Sequence, residues 1–231
     1  MQNLPDASLA RLDIDAVVFD MDGLLLDTEV LARRALRLAG EALGIDIPET
    51  LSEAMIGVPL DGCRLLLVEH HGESVRAEQL FAASARHLLA QVQAGELRVK
   101  PGVIETLERV RELGLPLAVA TSSARQKALD HLRDAGLDHR FDAIVTRDDV
   151  RRGKPSPDLY LHAASALAVP PARCLALEDS YNGVRAAHAA GMTVVMVPDL
   201  LPPTQEMRDL CHAIVTDLHA VAAALGRRDE R

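Results

Sequence analysis

Seven residues of this chain have chemistry that packing alone does not ask for: Asp20, Asp22, Thr121, Ser122, Lys154, Glu178 and Asp179. The first two acids close the apolar run AVVFDMDG, residues 16–23, and a glycine follows them. Unpaired carboxylates are costly where a buried strand stops, so two of them there call for a positive partner. LPLAVAT (115–121) ends in the same way on Thr121, with Ser122 next, and CLALED (174–179) ends on Glu178 and Asp179. Lys154 stands in the polar stretch RRGKPSPD, residues 151–158. In an open parallel sheet ligands bind beyond the carboxyl ends of the strands, so residues far apart in the chain meet at one edge. Acids gathered there repel one another by roughly several kcal/mol at an effective dielectric of about 20, and they need a cation. Magnesium suits them, because it is hard, takes oxygen ligands and is held by about one or two carboxylates plus a substrate phosphate. A calcium loop of the EF-hand kind does not, since Leu24, Leu25 and Leu26 follow Asp20-Met21-Asp22-Gly23 where further oxygen ligands are required.

The elements that must position these residues are legible as alternation. Short apolar runs at 16–20, 115–121, 142–146, 174–179 and 193–199 have the length and β-branched content of strands buried on both faces. Helical spacing separates them: Val103, Leu107, Val110 and Leu113 after Pro101-Gly102, then 124–135 closed by Gly136, 157–168, and 182–190 closed by Gly191. Strand alternating with helix predicts an α/β fold, an open parallel sheet with helices on both sides. Residues 28–97 break the rhythm with helix after helix, TEVLARRALRLAGEALG, LDGCRLLLVEHHG and ESVRAEQLFAASARHLLAQVQAG. They are expected to form an inserted all-helical domain, 28–97, with 1–27 and 98–231 making the α/β core. The tail GRRDER is expected to fray.

Composition sets the outer limits. The 231 residues are 48% apolar but include no Trp, two Tyr and three Phe, so an aliphatic core is expected and stacking platforms for bases are not. A formal charge of −9, with no basic cluster beyond short pairs such as Arg33-Arg34 and Arg227-Arg228, argues against a nucleic-acid partner. Cys63, Cys174 and Cys211 lack a zinc spacing and read as reduced thiols. The opening MQNLPDASLARLDID has acids and a proline where a signal peptide has a basic region, and no segment has the ~18 apolar residues of a membrane span. A cytoplasmic protein with no membrane partner is expected, as a monomer, with a dimer as the alternative.

DMDGLLLDTE, the TSS at 121–123, GKPSPD around Lys154 and LEDSYNGV, in that order, resemble the four motifs of the haloacid dehalogenase superfamily of phosphoryl-transfer enzymes. The similarity runs from about residue 14 to 220 and is strongest to the branch with a helical cap after the first motif, which contains β-phosphoglucomutases, sugar-phosphate phosphatases and pseudouridine 5'-phosphatases. The resemblance implies a Rossmann-like core under a cap. It implies Asp20 as the nucleophile, a carboxylate already anionic at neutral pH that attacks phosphorus. Asp22 becomes the acid that protonates the leaving oxygen and then the base that activates water, and its main-chain carbonyl becomes a metal ligand. Asp20 and Asp179 bind Mg2+, Glu178 binds it or orients its waters, and Thr121, Ser122 and Lys154 hold the phosphoryl oxygens.

The same resemblance separates reactions. Dehalogenation does not use the Asp22 and magnesium pair. The mutases that the chain resembles carry a histidine shortly after the first motif and an arginine after a Gly-Val pair; here Ala32 and Leu60 stand at those places, the latter after Gly57-Val58-Pro59. Without a cation to grip a second phosphate, water is the expected acceptor. A Mg2+-dependent phosphatase of a small phosphorylated metabolite is therefore the reading, with a phosphosugar mutase as the alternative and a module that binds without turnover as a remote one. His70 and His71, next to Gly72, read as the end of a helix rather than as catalytic groups.

Overall fold

The computed structural model describes residues 12–56, 58 and 60–226. The expected frayed tail beyond Gly226, and Gly57 and Pro59 of the stretch compared with the mutases, lie outside them. The described chain divides into two compact units, one containing the segments up to Leu26 and from Val99 onward, the other Asp27–Arg98.

The first unit is a six-stranded parallel sheet in the order β3-β2-β1-β4-β5-β6. Its strands are β1 (Ala16–Phe19), β2 (Leu117–Ala120), β3 (Ala143–Val145), β4 (Cys174–Glu178), β5 (Thr193–Met196) and β6 (Ala213–Ile214). Val18 of β1 stands opposite Ala118 on one side and Ala176 on the other, so β1 is central and the chain runs outward from it in both directions. The first five strands fall on the five apolar runs. The side chains alternate as a pleated strand requires. Ala16, Val18, Ala118, Ala120 and Ala176 belong to a core with Leu159, Tyr160 and Ala163 of α7 (Asp158–Ala166) and Val184 and Ala187 of α8 (Tyr181–Ala189). The small strand residues on that face let the helices approach. Val17, Phe19, Leu117, Val119, Leu175 and Leu177 alternate with them and are equally buried.

Residues 200–226 carry no periodic signal from which an element is expected. The structure places there α9 (Gln205–Leu210), the two-residue β6 and α10 (Leu218–Ala224). A strand this short has no readable periodicity, and its shortness suits an edge. Long-range polar contacts hold α10: the Thr106 hydroxyl of α5 (Val103–Glu112) donates to the Leu218 carbonyl at 2.8 Å, and Arg109 donates to the Leu225 carbonyl at 3.0 and 2.9 Å.

After β3 a short turn is closed by a capping box, in which the Thr146 backbone N–H donates to Asp149 at 2.8 Å and the Thr146 hydroxyl meets the same oxygen at 2.7 Å. Burial pushes the Asp149 carboxyl up, but hydrogen bonds from Arg125 and Thr146 outweigh it and bring the pKa down to about 2. A carboxyl depressed in the folded state stabilises above its unfolded pKa and loses that contribution as pH falls. Asp149→Ala is therefore expected to cost about 1 kcal/mol near neutrality, with the difference from wild type vanishing between pH 4 and 2 in chemical denaturation.

The second unit is all helical: α1 (Thr28–Leu43), α2 (Glu49–Ala54), α3 (Leu60–His71) and α4 (Ala77–Gln93). Its own core contains Ala39, Leu51, Leu67, Leu80 and Ala83. The helix expected from residue 73 starts at Ala77, because the chain turns at Gly72, with φ +82°, and Val75 packs into the core from that turn. His70 and His71 form the last turn of α3.

Candidate active site

β1 ends at Phe19, and the next three residues turn the chain away from the sheet. The Gly23 N–H donates to the Leu26 carbonyl at 2.9 Å, and the N–H groups of Leu25 and Leu26 both donate to the Met21 carbonyl, at 3.0 and 3.1 Å. Leu24, Leu25 and Leu26 are buried, which explains the return to leucines after two acids: they anchor the turn that presents Asp20 and Asp22. Gly23 adopts φ +90°, and a Cβ there would lie 2.3 Å from Asp179 Oδ2. The turn thus requires glycine by conformation and by space.

Six of the seven residues singled out from the sequence come together in two linked groups. In one, oxygens of Asp20, Glu178 and Asp179 all lie within 4.8 Å of one another. Lys154 reaches between two of them, pairing with Asp20 Oδ1 and lying 2.5 Å from Glu178 Oε1. Lys154 and Glu178 are almost wholly out of solvent. Burial pushes the Asp20 carboxyl up to about 8; Lys154 pulls against that shift and Glu178 adds to it. Burial works against the Lys154 ammonium, but the two carboxylates more than compensate and hold its pKa above the ordinary lysine value.

Glu178 is saturated. Its Oε1 accepts from Lys154 and from the Tyr160 hydroxyl at 2.6 Å; its Oε2 accepts from the N–H groups of Asp179 and Ser180 at 3.1 and 3.2 Å and from the Ser180 hydroxyl at 3.1 Å. Five donors converge on a group with about four lone-pair directions. Gly183 of α8 covers it so closely that a Cβ there would fall 1.7 Å from Oε1.

The second group surrounds Asp22. Its Oδ2 accepts from the Ser123 hydroxyl at 2.8 Å and from the Thr121 hydroxyl at 3.3 Å, and Lys127 Nζ lies 3.8 Å from Oδ1. Thr121 also accepts from the Ser123 N–H at 3.0 Å, which ties the loop after β2 to itself. Ser122 is exposed, and the buried hydroxyl on Asp22 belongs to its neighbour. Sequence reasoning missed four further residues. Ser123 was visible in the quoted TSS. Asp199 ends the run TVVMVPD, as Asp20 and Asp179 end theirs, and that position is its signal. Lys127 and Tyr160 carried no signal, because each looks like an ordinary helical residue.

The donor set fits a hard divalent cation. It offers carboxylate oxygens, it gathers more negative charge than Lys154 neutralises, and Asp179 reaches the cluster across a glycine with no side chain to obstruct it. The three cysteines are unpaired, and burial pushes the thiols of Cys174 and Cys211 up to about 11 and about 12, so they remain protonated. Among the described residues no helix is long and apolar enough to cross a membrane.

Comparison with known proteins agrees with the motifs. The model of the haloacid dehalogenase-like hydrolases matches residues 14–191. The phosphorylated carbohydrates phosphatase of Thermotoga maritima is 36% identical over 187 residues, 78% of this chain and 82% of its own. The protein CbbY of Rhodobacter capsulatus is 32% identical over 198 residues, 81% of this chain and 86% of its own. The crystal structure of CbbY from Rhodobacter sphaeroides in complex with phosphate superposes with a TM-score of 0.74 at 29% identity, covering 89% of this chain and 95% of that one. With four ordered motifs, a parallel sheet and an acidic cluster at its carboxyl edge, the chain belongs to the haloacid dehalogenase-like hydrolase family, as a phosphomonoester hydrolase.

Proposed function

We propose that this chain is a magnesium-dependent phosphatase that hydrolyses a small phosphorylated metabolite, a sugar phosphate or nucleotide-type monoester, through an aspartyl-phosphate on Asp20. The observation that carries the reading is Lys154 lodged between Asp20 and Glu178, with Asp179 beside them, at the carboxyl ends of two adjacent strands. An Asp20 oxygen attacks phosphorus, and the bond to the leaving oxygen breaks as Asp22 gives that oxygen its proton. In the second half water attacks phosphorus, the Asp20–phosphorus bond breaks and Asp22 takes the water's proton. Hydrogen bonds from Thr121 and Ser123 fix the Asp22 carboxyl for both transfers. Thr121, Ser122 and Lys154 hold the phosphoryl oxygens. Asp20, Asp179 and the Asp22 carbonyl would hold magnesium, which would supply positive charge against the charge that develops on phosphorus. Glu178, already accepting five donors, acts on this site by fixing Lys154.

The helical unit, Asp27–Arg98, selects the leaving group. Ala32 and Leu60 offer no cation for a second phosphate, which favours water over a phosphosugar as acceptor. The name of the Thermotoga relative supports the carbohydrate reading. Unpaired, protonated thiols suit a cytoplasmic enzyme, which we take to act as a monomer.

Removing the metal tests this. Phosphate release from p-nitrophenyl phosphate is expected to stop in EDTA and return with added magnesium; turnover that continues in EDTA overturns the proposal. With β-glucose 1-phosphate and a bisphosphate primer, free phosphate is expected, and accumulation of glucose 6-phosphate would favour the mutase.

A further inference from the structure

A second lysine–carboxylate pair stands beside the acidic cluster, and the chemistry above does not use it. Lys100 Nζ lies 2.5 Å from Asp199 Oδ1, with the two side chains 23% and 11% exposed. Lys100 follows the segment that re-enters the sheet unit, and Asp199 follows β5. The other Asp199 oxygen, Oδ2, is buried and has no hydrogen-bond partner among the described residues. It faces the site: the point where a Gly23 Cβ would stand is 3.4 Å from Asp199 Oδ2 and 2.3 Å from Asp179 Oδ2. Two carboxylate oxygens therefore lie against the same side of one glycine, and Lys100 pairs with the one from Asp199 through its other oxygen.

Two like charges this close, partly out of water, raise each other's energy unless positive charge lies near both. Lys100 neutralises Asp199 from the far oxygen and leaves the near one as a strong acceptor. We propose that Asp199, clamped by Lys100, is a positioning residue for the cation site, adding negative charge next to Asp179 and an acceptor for the hydration shell of the cation. This inference rests on the cation reading made above. The clamp explains why the pair is built across two separate segments: Lys100 holds Asp199 at a fixed distance from Gly23, so that its charge acts on Asp179 without displacing it. Groups outside the ligand set that orient it typically change metal affinity 10–100-fold when removed.

Magnesium binding to the full-length, metal-free protein, followed by titration calorimetry without substrate, separates this role from a merely structural one. Asp199→Asn keeps the shape and removes the charge; its magnesium dissociation constant is expected to rise at least tenfold, with the unfolding temperature of the metal-free protein little changed. Lys100→Met releases the clamp and is expected to weaken magnesium as well, whereas Lys100→Arg restores it. Wild-type affinity in Asp199→Asn, or tighter binding in Lys100→Met, overturns the inference and leaves the phosphatase reading standing. Failure of the wild-type protein to bind magnesium overturns both.

Discussion

Asp20→Asn is expected to fold and to release phosphate from p-nitrophenyl phosphate roughly 10⁴-fold more slowly than wild type, on the scale of losing a covalent nucleophile. The amide has the same shape, but it cannot displace a leaving group from phosphorus to form an acyl phosphate. The surroundings survive the change because Lys154 retains Glu178 as its partner. Stability gives an independent readout. In the metal-free protein burial raises the Asp20 pKa from 3.8 to about 8, so the folded state holds a proton that the unfolded state has lost over that range. Wild-type stability therefore falls as pH climbs from 4 to 8, and the variant lacks this slope. Denaturation at pH 4 and pH 8, with EDTA present, should show Asp20→Asn gaining on wild type at the higher pH. Turnover within tenfold of wild type would remove Asp20 from the nucleophile's role.

Glu178→Gln is expected to lower the unfolding free energy by about 3 kcal/mol, the lower end of the range for breaking a buried charge pair from one side. Isosteric amides are often mild substitutes for carboxylates, but here both oxygens accept. Lys154 and Tyr160 donate to one, and the Asp179 and Ser180 N–H groups to the other. Whichever way the amide is turned, its NH2 points at donors, and the contact becomes repulsive. Gly183 leaves no space for the side chain to rotate away. Lys154 would keep only Asp20 as a counter-charge, so turnover should collapse with stability. Urea denaturation measures the first effect; a loss below about 1 kcal/mol would mean that water reaches the carboxylate.

The first five strands were legible because each carries an unbroken apolar run, wholly buried in β1, β2 and β4, and half-buried at Ala143 and Ile144 of β3. The polar residues that end those runs are conspicuous for the same reason, which is why Asp20, Thr121, Glu178 and Asp179 stood out. β6, with two residues, and α9, with six, are too short for a period to emerge, and α10 is held by Thr106 and Arg109, partners more than a hundred residues away. The same limit applies to the site. Tyr160 supports Glu178 from the middle of a helix whose pattern reads as plain core, and only the folded structure shows that its hydroxyl is a donor within the cluster. Ser122 and Ser123 are chemically identical neighbours, and the direction of the turn after β2 decides which one is buried.

The helical unit leaves and rejoins the sheet through a narrow neck. Leu26 and Val99 form an antiparallel bridge, the Lys100 N–H donates to the Leu25 carbonyl at 2.9 Å, and the Asp27 N–H donates to the Arg98 carbonyl at 2.9 Å. The ends of the insertion are fastened to each other before any helix begins, so the entropy of closing this excursion is met locally and grows only slowly with its length. A chain wired in this way can exchange the whole excursion for one of different size, and so acquire a new substrate preference, without rethreading the catalytic strands.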